Sequence, residues 1–243
     1  MKVLCVIPAR YASTRLPGKP LRDIAGKPMI VRVYERAIKA KNIDDAVVAT
    51  DDERIFDAVT KFGGKGVMTR ADHQTGTDRL AEVAEIYTDA EVIINVQGDE
   101  PLIDPELIDE LAALFADKTL NMATVKTQIK EKAEQENPNN VKVVTDKEGY
   151  ALYFSRSLIP YPRREGAKVF KHIGIYAYRR DFLKKFAAMA QTPLEMSESL
   201  EQLRAIENGE RIKVIETTRQ FVGVDTEEDL REVNRIYIEE GLA

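Results

Sequence analysis

The chain has 243 residues, 44% of them hydrophobic and 32% charged, with a formal net charge of -5 and one cysteine, Cys5. These are the proportions of a globular protein long enough to bury a real core, as one large domain or two small ones. They exclude an electrostatic case for nucleic acid and any internal disulfide. The apolar run before Pro8 is too short for a signal peptide or a membrane span, so no membrane partner and a cytoplasmic location are expected.

Residues 2–8 read as a buried parallel strand, short, apolar and rich in Val and Ile. A loop with Arg10, Ser13, Arg15, Gly18 and Lys19 follows. Pro28 opens a helix with apolar residues at Met29, Ile30, Val33, Tyr34, Ala37 and Ile38. A second strand is expected over Asp45–Thr50, a helix from about Glu53 to Lys61, and a short third strand at Val67–Met68. The loop from Thr69 to Asp78 leads into a helix through Leu80, Val83, Ala84 and Tyr87. A fourth strand, Val92–Val96, ends in Gln97-Gly98-Asp99, and Pro105 opens a helix through Leu107, Leu111 and Leu114.

This alternation predicts an α/β fold with a doubly wound, mostly parallel sheet. The pattern then changes. Strands are expected at 121–128, 141–145, 150–154 and 170–178, with a hairpin around Asp146-Lys-Glu-Gly149, so 137–178 reads as an antiparallel insertion or edge. Helices are expected near 180–190 and 197–208, strands at 211–216 and 220–224, and a last helix to about Glu240, capped by Thr226 with Asp229 in a capping box. We divide the single domain 1–243 into a core, 1–128 with 210–243, and a section 129–209.

No Walker loop (GxxxxGK[ST]) and no GxGxxG after a strand is present. If the first loop binds phosphate, it does so through Arg10, Arg15 and Lys19 and through backbone amides. Asp99, after a glycine that lets a ligand approach the backbone, is either a Mg²⁺ ligand or an ordinary turn aspartate. Asp225 ends the strand-like run Phe221–Val224 and is a second metal carboxylate, a helix cap, or both. His73 and Thr75 precede a helix N-terminus that favours anions, although Thr75 or Thr77 also reads as a simple cap. His172 and Tyr176 share a strand face, where a structural histidine is the default. Arg156 is either solvated or a partner for a substrate carboxylate. Glu201-Gln202 lies in a helix that reads as exposed.

The blocks Ile7-Pro-Ala-Arg-Tyr-Ala-Ser-Thr-Arg-Leu-Pro-Gly-Lys-Pro-Leu21, Thr50-Asp51-Asp52, His73-Gln-Thr-Gly-Thr-Asp-Arg79, Asn95-Val-Gln-Gly-Asp-Glu-Pro101, Tyr153-Phe-Ser-Arg156, His172-Ile-Gly-Ile-Tyr176 and Gly223-Val-Asp-Thr226 span nearly the whole sequence. Together they resemble the bacterial nucleotide-sugar cytidylyltransferases, in particular the branch that activates Kdo (3-deoxy-manno-octulosonate). The resemblance implies a Rossmann-like nucleotidyltransferase fold. It also implies transfer of CMP from CTP to the anomeric hydroxyl of Kdo, with release of pyrophosphate, for lipopolysaccharide biosynthesis.

By position, the resemblance implies that Arg10, Ser13, Arg15 and Lys19 hold the triphosphate. Pro8, Ala9 and Gln97, followed by Gly98, meet the cytosine, and Thr75 and Gly76 lie near the nucleotide. It implies that Asp99 and Asp225 hold Mg²⁺, with a second Mg²⁺ carried by CTP, and that Arg15, Lys19, Asp99 and Asp225 form the catalytic set. Arg156, His172, Tyr176, Glu201 and Gln202 would line the sugar site. A homodimer is implied too, and we place its interface in 150–190 and assign sugar selection to 129–209. Two alternatives remain open: a cytidylyltransferase for sialic acid or another acidic sugar, and a sugar-nucleotide-binding regulator without catalysis.

Overall fold

A computed structural model describes residues 1–12, 16–164, 166–219 and 221–242. The first half of the chain contains β1 (Val3–Ala9), β2 (Asp23–Ile24), β3 (Lys27–Pro28), α1 (Met29–Ala37), β4 (Asp45–Thr50), α2 (Glu53–Lys61), β5 (Gly66–Met68), α3 (Gly76–Ile86), β6 (Val92–Asn95) and α4 (Pro105–Leu114). Then come β7 (Met122–Ile129), α5 (Lys132–Glu136), β8 (Lys142–Thr145), β9 (Ala151–Ser155), β10 (Val169–Arg179) and α6 (Arg180–Ala187). The chain continues with α7 (Pro193–Glu198), α8 (Gln202–Glu207), β11 (Ile212–Thr217) and α9 (Glu227–Glu239). Among the described residues no helix is long and apolar enough to cross a membrane.

The chain forms two compact units, 1–113 with 220–243, and 114–219. The sequence reading sets the divisions at 128/129 and 209/210. The structure moves them because β7 pairs with β10 and β11, so both β7 and β11 belong with the second unit.

In the first unit the strands run β6-β1-β4-β5, all parallel. Their central members are covered on both faces, which is why they read as continuous apolar runs and not as alternating ones; Cys5, Val6 and Ile7 are fully buried. The chain winds outward from β1 through β4 to β5 and returns to β6 on the other side of β1. The strand order therefore reverses between β1 and β6, and such a switch point opens a crevice at the carboxyl ends of the strands. The loops after Ala9 and after Asn95 both leave from that end, because Val6 lies opposite Asn95 and Ala9 opposite Thr50.

The last segment closes this unit. Val224, Leu230, Val233 and Tyr237 pack with Leu16, Ile24 and Met29 in one apolar cluster, and the Tyr237 hydroxyl donates to the Pro101 carbonyl at 2.6 Å. Thr226 caps α9 in a capping box with Asp229, as expected. The expected strand at 220–224 is a correction: residues 221–224 are irregular. They make no ladder with a neighbouring strand; Val224 N–H instead donates to the Asp99 carbonyl at 2.9 Å.

The second unit has the order β11-β7-β10, with β11 parallel to β7 and β10 antiparallel to it. β8 pairs antiparallel with both β10 and β9. The 146–149 hairpin forms as expected, with the Asp146 carboxylate accepting from Glu148 N–H and Tyr150 N–H and Gly149 at φ +80°. The expected helix 197–208 is two short helices. Ser199, at φ 51° and ψ 50°, ends α7, and α8 starts at Gln202. The short elements β2, β3 and α5 give no periodic signal and were not foreseen.

Candidate active site

The crevice of the first unit is a cleft of about 360 Å³, lined by Pro8, Ala9, Arg10, Ala12, Lys19, Pro20, Met29, Gln97, Gly98, Asp99 and Asp225. Six of the expected nucleotide residues thus share one cavity, of a size that suits a small-molecule ligand. Gly98 is required sterically: a Cβ there would lie 2.8 Å from the Pro8 carbonyl oxygen. Ser13 and Arg15 lie outside the described residues.

Lys19 is the centre of the cleft's charge. Its ammonium donates to Asp99 Oδ2 at 2.6 Å and to Asp225 Oδ1 at 2.9 Å. Burial works against the charge, but the two carboxylates outweigh it and the Lys19 pKa is raised. Two aspartates far apart in sequence therefore converge on one cation. Asp225 is not the cap of α9, because Thr226 takes that role. Asp225 N–H donates to the Asp229 carboxylate at 3.0 Å, so the capping box also fixes the residue that carries the carboxylate.

Arg10 and the 73–76 segment are tied together. Arg10 Nη2 donates to the His73 carbonyl at 2.6 Å and to the Thr75 carbonyl at 3.3 Å. Thr75 caps α3 through a complete capping box with Asp78. Gly76 is the first residue of that helix, and its Cβ position lies 4.0 Å from Pro8. The buried His73 ring bonds the Glu82 carboxylate, which also accepts from Arg70 N–H. Arg79 is buried and donates to Asp51 at 2.9 Å and to the Thr69 hydroxyl. Glu82 and Arg79 escape a reading by motif roles, since each acts on a loop and not on a ligand. Glu82 has no advance signal beyond membership of an amphipathic helix that should be apolar on its inner face, whereas Arg79 also closes the His73–Arg79 block.

The expected sugar residues lie in the second unit. His172 is buried on β10, its ring 5.0 Å from Phe154 and 5.3 Å from Tyr176, so His172 and Tyr176 do share a face. The Thr124 hydroxyl lies 2.9 Å from His172 Nε2 and also reaches the Ile173 and Ile175 carbonyls. It thereby satisfies an irregularity where β10 shifts register against β7 between Ile173 and Tyr176. Burial pushes the His172 pKa down to about 3, so the ring is neutral, and burial pushes the Tyr176 phenol up. Gln202 is 6% exposed, which corrects the expected exposed helix face. Arg204, two residues on, is drawn inward by a buried ion pair with Glu195 and carries that turn with it. Glu201 is half-buried and lies 3.6 Å from Arg204.

Arg156 follows β9. Its Nε donates to the Glu198 carbonyl at 2.7 Å, and its own N–H to the Glu198 carboxylate at 2.9 Å. The same carboxylate accepts from the Ser155 hydroxyl at 2.6 Å. Burial would raise the Glu198 pKa, but the Ser155 and Arg156 donors outweigh it and hold it below the usual carboxylate range. Glu198 and the buried Lys142, whose ammonium donates to the Arg156 carbonyl at 2.6 Å, had no sequence signal.

A sequence profile described as cytidylyltransferase matches residues 4–212. The chain is 57% identical over 235 residues to the 3-deoxy-manno-octulosonate cytidylyltransferase of Fusobacterium nucleatum, covering 96% of each chain. It is 56% identical to the enzyme of the same name from Geobacter metallireducens, again covering 96% of each. A solved structure of CMP:2-keto-3-deoxy-manno-octonic acid synthetase complexed with CTP superposes with a TM-score of 0.95 at 48% identity, covering 99% of this chain and 100% of that one. A 4-diphosphocytidyl-2C-methyl-D-erythritol synthase from Anaerococcus prevotii, 14% identical with a TM-score of 0.64 and coverage of 98% and 96%, shares the fold.

Proposed function

The chain belongs to the cytidylyltransferase family, and from that premise we propose that it transfers CMP from CTP to the anomeric hydroxyl of Kdo, releasing pyrophosphate. The observation that carries this reading is the convergence of Lys19, Asp99 and Asp225 in the switch-point cleft, in a chain 57% identical to an enzyme named for that reaction. A binding protein without catalysis has no need of two carboxylates and a lysine focused on one point. The setting is lipopolysaccharide synthesis in the cytoplasm.

The cleft orients the nucleotide through the Pro8 and Ala9 backbone and Gln97, and Gly98 lets the ligand approach closely. The anomeric oxygen forms a bond to the α-phosphorus as the bond to pyrophosphate breaks, and charge builds on the departing oxygens. Lys19, held protonated, supplies a fixed positive charge for them. Arg10, anchored on the His73 and Thr75 carbonyls, adds a second. Arg15 has the same role by position.

Asp99 and Asp225 suit Mg²⁺: their donors are hard carboxylate oxygens, and both already reach one cation. Mg²⁺ is commonly held by one or two carboxylates with water and substrate phosphate completing its shell. When bound there it would act as a Lewis acid on the phosphate and lower the pKa of the attacking hydroxyl. In this reading CTP would carry a second Mg²⁺.

In the second unit Arg156 pairs with the sugar carboxylate. The neutral His172, Tyr176, Glu201 and Gln202 address its hydroxyls. A homodimer through 150–190 belongs to the same reading; Leu152 and Tyr161 are exposed there, and light scattering tests it. The decisive assay is pyrophosphate release from CTP with Kdo, sialic acid and other acidic sugars, with and without Mg²⁺. Kdo with CTP should be preferred, and Asp99→Ala should lose at least about a hundredfold in kcat, on the scale of removing one preorganised electrostatic group. Full turnover by that variant in Mg²⁺ would sink the proposal.

A further inference from the structure

The guanidinium of Arg156 is held in an unusual way. Its Nε, Nη1 and Nη2 donate to the carbonyls of Glu198, Pro138 and Ser199 at 2.7, 3.3 and 3.4 Å. All three acceptors are main-chain oxygens. The nearby Glu198 carboxylate is engaged instead by the Ser155 hydroxyl and by Arg156's own N–H. The side chain is therefore oriented without being neutralised by a direct ion pair, and its two outer nitrogens lie where solvent reaches them.

The geometry depends on a break between two helices. In a continuous helix the carbonyls of residues 198 and 199 would point along the axis and accept from the residues four further on. Ser199 instead takes the left-handed conformation, at φ 51° and ψ 50°, which is strained for any residue with a Cβ. The break releases both carbonyls, and both turn to Arg156. Strain of this kind persists only where its surroundings over-determine it, and it concentrates at ligand clamps. Lys142 completes the hold from behind, donating to the Arg156 carbonyl at 2.6 Å and to the Asn137 carbonyl at 3.0 Å. The same turn leads directly into Glu201 and Gln202.

We propose that Glu198 is the positioning residue of the sugar site: through its carboxylate and its carbonyl it fixes Arg156 with its guanidinium facing outward, outside any direct ion pair, for an anionic sugar. This rests on the reading that Arg156 binds the sugar carboxylate. Glu198 itself touches no substrate. Its carboxylate holds the Ser155 hydroxyl and the Arg156 N–H, and its carbonyl sets the guanidinium plane.

Steady-state kinetics with Kdo and CTP varied separately test this, with a thermal melt of each variant. Glu198→Ala should raise the KM for Kdo roughly 10- to 100-fold, the scale of a positioning loss of about 1 Å, and leave the KM for CTP within about twofold. Glu198→Gln keeps one acceptor oxygen for the Arg156 N–H and offers its amide NH2 to the Ser155 hydroxyl, which can accept as well as donate, and should recover most of the loss. Glu198→Asp withdraws the carboxylate by one methylene while keeping its charge, and should fall between; it replaces the alanine variant if that one does not fold. In an Arg156→Ala background, Glu198→Ala should add no further rise.

The arms separate two failures. If Arg156→Ala leaves the KM for Kdo unchanged, the reading of the sugar site is wrong. If Arg156→Ala raises it and the folded Glu198 variants do not, the positioning role is wrong. Parallel rises in both KM values with a lowered melting point would reduce Glu198 to a structural residue and overturn the proposal as well.

Discussion

Lys19 and the two aspartates show how far single residues could be read in advance. A strand followed by Gly98-Asp99 marks a carboxylate at a strand end whatever its role. Asp225 was reached for the wrong local reason, since 221–224 is no strand, yet its carboxylate arrives at Lys19 because the capping box of α9 fixes its backbone. Lys19→Met should lower kcat by about 10²- to 10³-fold with a smaller effect on CTP affinity, the size of losing one transition-state donor, as pyrophosphate release would measure. His172 gives a pH signature. Its folded pKa is about 3, below the ordinary value of 6.5, so the unfolded chain binds a proton that the folded one does not. Stability is then unaffected by this residue above about pH 6.5 and falls with decreasing pH between about 6.5 and 3. Urea midpoints across that window should drop less in His172→Gln than in the parent. The partners of Glu82, Arg79 and Glu198 lie across loops, and one-dimensional spacing does not encode such contacts.

Among the elements, those with strong periodicity were legible to within a residue or two: β4 and α2 lie where the pattern puts them, and the buried strands of the first unit read as apolar runs because both faces are covered. The break in the 193–207 stretch was not, because a single left-handed residue leaves the apolar spacing on either side intact. What holds the two short helices against each other is the buried pair of Glu195 and Arg204, each 6% exposed at the side chain. Glu195 accepts from Arg204 Nε at 2.8 Å and from Thr192 N–H at 3.1 Å. Burial opposes its charge, but the Arg204 bonds prevail and its pKa is lowered. Arg204→Ala leaves a buried carboxylate without its counter-ion, which costs about 3–5 kcal/mol. Urea unfolding should show a loss of that order. Replacing Glu195 and Arg204 together by apolar residues of similar volume should cost much less.

At the scale of the whole molecule, the α/β class followed from the strand–helix alternation, whereas the division of the chain did not. β7 and β11 resemble the core strands in composition, and only their pairing with each other and of β7 with β10 assigns them to the second unit. The first unit is discontinuous, built from 1–113 and 220–243, while 114–219 is contiguous. That arrangement orders events during synthesis. A nascent chain exposes Lys19 and Asp99 early, then the entire second unit, and only afterwards Asp225, 206 positions after Lys19. A contiguous unit can fold as it emerges, but the first must wait for α9 to cover Leu16, Ile24 and Met29. A ribosome stalled anywhere between residues 114 and 219 therefore carries a lysine and one carboxylate without the second. The trio of Lys19, Asp99 and Asp225 is completed only after the whole second unit has been translated.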